Sequence, residues 1–310
     1  MNNIVINKNL IKKIISFLKK NNSLKYLDPN IFETIDKYKE IQNIDFNDYY
    51  LEYIKNLPKL DFESAVRMSR EVYQSFGKEK EFDRILERLI SNHSIDMGTL
   101  NKNDDNCITK AHESRVLLSG TYYDVVLLCH EIGHKLRHDN SMNPSDIMDS
   151  FFFETPSIIL EFAASNYLRD SYGIDINAAE LRKMHVLSNR RDNTIENNIF
   201  LTIIKLLKEK KLNIANLYKE FIKNVDIVEF FNRTNSSIED CINEGMSVYS
   251  YDIGYILGNY AINSDNEKEI LNLLLKYKDE GINMPFTIDE GIIKSTLECE
   301  EYTKIKNNML

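Results

Sequence analysis

The chain has 310 residues, 43% hydrophobic and 28% charged, which is ordinary for a soluble globular protein and enough to bury a sizeable core. Its net charge of -9 excludes a fold that grips a phosphate backbone through a basic excess, so no nucleic-acid partner is expected. No stretch approaches the roughly 18 consecutive apolar residues of a transmembrane helix, so none is expected. With 10 glycines and 5 prolines as punctuation, long helices are favoured over many short strands, and the fold is expected to be mainly α.

In chain order, residues 8–93 read as a run of helices. Lysines interrupt the apolar residues of the opening MNNIVINKNLIKKIISFLKK, which lacks the unbroken apolar core of a signal peptide. Ile11, Ile14, Ile15 and Leu18 share one face there, which predicts a surface helix docked by its apolar side. Segment 61–76 opens on Asp61 as an N-cap and closes at Gly77. Segment 79–92 places Phe82, Ile85, Leu86 and Leu89 at helical spacing. The polar, turn-rich stretch 94–106 marks a soft boundary between an N-terminal helical region, 1–106, and a second region, 107–310, within one continuous unit. Val116, Leu117 and Leu118 ahead of Gly120 predict a strand within 107–120. Further helices are predicted over 122–137, 145–170, 177–187, 193–209, 212–224, 237–261, 266–278 and 288–305. The cysteines, at 107, 129, 241 and 299, form no close pair, which points to a reducing compartment and a cytoplasmic location.

The chemistry concentrates at His130-Glu131-Ile132-Gly133-His134. In a helix, positions i and i+4 differ by about 40° in azimuth and about 6 Å in height, so two imidazoles at that spacing can point at one metal ion. Glu131 faces the same cleft, where it can take a proton from the ion's water. Val125, Val126, Leu127 and Leu128 precede the motif, so its helix is expected to be buried, and two buried histidines need polar partners.

A catalytic zinc uses three protein ligands and a water, so the two histidines leave one ligand to find. The best candidate is Glu154, a carboxylate after Phe151, Phe152 and Phe153 that is awkward without a partner. Glu161 follows two turns later on the same face and could orient a ligand histidine from behind. His138, four residues beyond His134, is an alternative ligand ranked below Glu154.

Residues 117–134, LLSGTYYDVVLLCHEIGH, resemble the strand–Gly-Thr–helix segment of the thimet oligopeptidase and oligoendopeptidase F family, and 154–161, ETPSIILE, resemble that family's second active-site helix. The resemblance covers 107–165 well and 240–262 loosely. It implies a helical zincin-like metallopeptidase with a small β-sheet beside the active-site helix. It also implies one zinc ion per chain on His130, His134 and Glu154, with Glu131 as catalytic base. The family's late tyrosine helix falls on 244–260, EGMSVYSYDIGYILGNY, which nominates Tyr249, Tyr251 and Tyr255 to hold the oxyanion. The histidine that the family carries ahead of those tyrosines is absent, and the chain is about half the usual family length. Short peptides are the expected substrates. An extended peptide is expected to add as an edge strand along Arg115, Leu117, Ser119 and Gly120. Two other readings keep the same metal: a protease narrowly specific for one protein or leader peptide, and a silent metal-binding scaffold.

Overall fold

The computed structural model describes residues 7–20, 24, 27–38, 46–97, 107–110, 113–139, 152–188, 195–264, 266–276 and 290–297. The described residues are mainly helical. The N-terminal helices are α1 (Lys8–Lys20), α2 (Pro29–Tyr38), α3 (Phe46–Asn56), α4 (Phe62–Ser75) and α5 (Glu79–Ser91). Strands β1 (Ile95–Met97), β2 (Cys107–Lys110) and β3 (Glu113–Leu118) follow, and then α6 (Tyr123–Asp139). The rest is α7 (Thr155–Tyr172), α8 (Ala178–Ser188), α9 (Ile195–Lys208), α10 (Ile214–Phe221), α11 (Val225–Arg233), α12 (Ile238–Asn263), α13 (Glu267–Lys276) and α14 (Glu290–Leu297). None of these helices is long and apolar enough to cross a membrane.

Local sequence sets the boundaries. Asp61 accepts the Ser64 amide at 2.9 Å to start α4, and Gly77, at φ 68°, takes the left-handed backbone that ends it. Helix α1 buries Leu10, Ile14 and Phe17 against α10 and α11, while Ile11, Ile15 and Leu18 stay half-buried, so the docked stripe is rotated from the expected one. Helix α11 has no counterpart among the predicted helices. It is nine residues long, capped by Asn224, and buries only Ile227 and Phe231, too short a period to stand out. Residues 145–151 and 298–305 of two predicted helices lie outside the described residues. Cys129 and Cys241 are buried free thiols.

The stretch 107–120 divides into β2 and β3. β3 is the middle strand of a three-stranded sheet, parallel to β1 and antiparallel to β2. It leads straight into α6. Asp124, in the first turn of α6, accepts from the Ser119 amide at 2.7 Å, the Ser119 hydroxyl at 2.7 Å and the Gly120 amide at 2.8 Å. These bonds set the angle at which α6 leaves the sheet.

One hydrophobic core runs through the described chain from Leu10 to Leu297, crossing the soft boundary at 94–106. At its centre α7 lies between α6 and α12. Its residues Thr155 to Phe162 are all buried, the all-round burial expected of a helix with no polar face. Glycines let the backbones close in on both sides. A Cβ at Gly133 of α6 would stand 2.9 Å from the Ser157 Cα, and one at Gly254 of α12 would stand 2.6 Å from the Ile158 side chain. The Gly133 neighbour is backbone and cannot step aside. Gly133→Ala is therefore expected to lower unfolding free energy by about 1–3 kcal/mol, read as a lower urea midpoint at unchanged slope. A midpoint equal to wild type would mean that α6 and α7 have room to separate.

Candidate metal centre

Helix α6 supplies two imidazoles on one face. The rings of His130 and His134 meet edge-on with centroids 4.7 Å apart, and their Nε2 atoms stand 3.1 Å apart. Phe152 and Phe153 lead into α7 and place Glu154 immediately before its first turn. The Glu154 Oε2 lies 3.6 Å from both Nε2 atoms. All three residues are buried: His130 is 7% exposed, His134 4% and Glu154 2%. Phe153 stacks on the His134 ring, with centroids 4.5 Å apart, and walls one side.

The three side chains named from the sequence as ligands thus form one buried group that could hold a metal ion. The Glu154 Oε2 tests the fit. It is fully buried and has no hydrogen-bond partner, a costly state for a carboxylate oxygen unless a cation compensates it. A small divalent ion with tetrahedral bonds of about 2.0–2.2 Å spaces its ligand atoms roughly 3.3–3.6 Å apart. The two separations of 3.6 Å to the carboxylate match that spacing, and the 3.1 Å between the imidazole nitrogens is slightly shorter. Burial pushes the Glu154 carboxyl up to about 7, against the opposing charges of His130 and Arg182.

Behind the ligands, the His130 Nδ1 is 2.9 Å from the Glu161 Oε2. A carboxylate can only accept, so Nδ1 carries the hydrogen and Nε2 keeps its lone pair for an ion. Arg182, from α8, donates to the same Glu161 oxygen at 2.5 Å. Burial works to raise the Glu161 pKa, but Arg182 and His130 overcome it and hold the carboxyl down to about 2. Glu131 is 6% exposed, and its charge reaches both Glu154 and Tyr251.

The three tyrosines of α12 part company. Tyr251 faces Glu154, and the charge of that carboxylate together with burial raises its phenol well above the ordinary range, so it remains a proton donor. Tyr249 turns away: its ring packs against Phe32 and Phe200 and its hydroxyl donates to Asp36 at 3.3 Å. The oxyanion role expected of Tyr249 is corrected by this placement. Tyr255 is buried, with its ring edge-on to Phe162 at 6.3 Å.

The edge-strand expectation is also corrected. Arg115 pairs with Ile108 of β2 and Leu117 with Asp96 of β1, while the amides of Ser119 and Gly120 are bound by Asp124. These backbone groups hold the sheet and the start of α6, so a docking peptide does not find them free. The side chain of His138 lies outside the described residues.

Two participants were not named from the sequence. In the sequence Phe153 is one of three consecutive phenylalanines, and Arg182 sits in an unremarkable helix, ELRKMHVLS. The signal in the sequence is a pair of charged residues, Arg182 and Lys183, between Leu181 and Met184, both of which are buried.

Fold and site together define a mainly helical protein with a buried His–His–Glu group that could bind a metal ion. Comparisons with profiles of known protein families, with characterised proteins and with solved structures found no match.

Proposed function

We propose that the chain is a zinc-dependent peptidase of helical, zincin-like architecture that hydrolyses short peptides. The observation that carries this reading is the unpartnered Glu154 Oε2 facing two histidine Nε2 atoms, with Glu131 in the same buried space. The paired motifs at 130–134 and 154–161, which resemble the thimet oligopeptidase family, support it. Two imidazoles and one carboxylate suit zinc, and they are the set that hydrolytic zinc sites use.

His130, His134 and Glu154 would hold the ion. When bound, zinc supplies Lewis acidity that brings a water's pKa toward neutrality and polarises a carbonyl. Glu131 takes the proton of the attacking water and returns it to the departing amine. Water oxygen joins the carbonyl carbon, the C–N bond breaks, and an acid and an amine leave. Tyr251 donates its hydroxyl to the carbonyl oxygen as charge gathers there. Glu161 keeps His130 in the tautomer that ligation requires.

Metal analysis of the purified chain with a peptide-library digest tests the proposal. Zinc at one ion per chain is expected, with cleavage of short peptides that a chelator stops and added zinc restores. Iron in place of zinc, or cleavage indifferent to chelation, would overturn it.

A further inference from the structure

Helix α8 supplies none of the three ligands, yet its Arg182 joins the site on several sides. One Nη2–H goes to the Glu161 Oε2 at 2.5 Å, the oxygen that also receives the His130 Nδ1–H. Arg182 Nη2 and His130 Nδ1 are 3.5 Å apart because both donate to that one oxygen. An Nη1–H goes to the His185 Nδ1 at 3.1 Å. The guanidinium lies over the Tyr251 ring, 5.5 Å from its centroid, and the His185 ring meets the same tyrosine at 4.9 Å. The Arg182 side chain is 11% exposed, and its Nε has no partner, so the fork is held by its two Nη ends.

We propose that Arg182 is the positioning residue of the metal centre: one guanidinium aims His130 through Glu161 and places Tyr251 through its ring. The inference rests on the metal reading of His130, His134 and Glu154 but not on peptide hydrolysis. The planar guanidinium donates in two directions and sits over an aromatic ring at once, a rigid arrangement that the compact, rotating lysine ammonium does not reproduce. Arg182 and His185, three residues apart on α8, thereby clamp Tyr251 of α12 against Glu161 of α7.

The test uses full-length Arg182→Met and Arg182→Lys, titrated with zinc against a chromophoric chelator and loaded with cobalt(II) for absorption spectra. Arg182→Met is expected to weaken zinc binding by roughly 10–100-fold, the usual effect of losing a partner behind a ligand, and to shift the cobalt bands. Arg182→Lys is expected to recover only part of that affinity. At saturating zinc, kcat is expected to fall by roughly 10-fold or more with little change in KM, because Tyr251 is displaced. If circular dichroism shows Arg182→Met unfolded, Arg182→Lys, which retains the buried charge, carries the measurement. Wild-type zinc affinity and an unchanged cobalt spectrum in the folded variants would overturn the proposal. Zinc affinity and cobalt spectra need no substrate, so a wild-type chain inert on peptides defeats the peptidase reading without touching this one.

Discussion

Glu131→Gln is expected to retain wild-type zinc content while kcat/KM on a cleaved peptide drops by roughly 10²–10⁴-fold, the usual worth of a positioned general base. The substitution keeps the shape and the hydrogen-bonding reach of the side chain and removes only its basicity. Glu131 is buried within α6 beside the His–His–Glu group. Its charge opposes ionisation of Glu154, so the variant relieves a repulsion and loses no ligand. Zinc content should therefore hold. Paired metal analysis and steady-state kinetics decide the matter, and a variant that cleaves at the wild-type rate removes Glu131 from the chemistry.

The second large effect concerns Glu154. Glu154→Gln is expected to weaken zinc binding by at least roughly 100-fold, since even the outer partners of ligand histidines are worth 10–100-fold. The consequence is also thermal. Zinc at a thousandfold over its Kd stabilises a folded chain by about 4 kcal/mol. Unfolding entropy grows with chain length, so for 310 residues that gain corresponds to a Tm rise of roughly 6 °C. Wild type should show the rise and Glu154→Gln should lose nearly all of it. The metal-free variant should melt close to metal-free wild type, because the amide fills the same space and no longer requires a cation to compensate it. Scanning calorimetry with and without zinc measures both. A full zinc-dependent rise in Glu154→Gln would place the third ligand elsewhere.

Much of the centre was legible because its residues carry strong local constraints. Two histidines four apart on an apolar helix, a glutamate behind phenylalanines, and a second glutamate two turns later each pose a problem that burial makes acute. The structure brings all four side chains together. The α12 tyrosines were not separable, because that helix is buried nearly all round and its period names no face. Tyr249 therefore looked as eligible as Tyr251 until their neighbours, an aromatic core and a carboxylate, were in view. The strand before α6 was visible from its apolar run, but whether it stood at an edge or in the middle depended on partners in other segments.

Sequence alone determined the helical texture, the motif helix and the likeness of its carboxylates to ligands, since periodicity, capping and the cost of burying charge all act within a few residues of chain. Tertiary structure decided what meets across helices: that Gly133 and Gly254 let α6, α7 and α12 close to backbone contact, that Tyr251 reaches Glu154, and that Arg182 reaches Glu161 from α8. Those contacts join residues far apart in the chain, and their geometry follows from helix packing, to which no short stretch of sequence is sensitive.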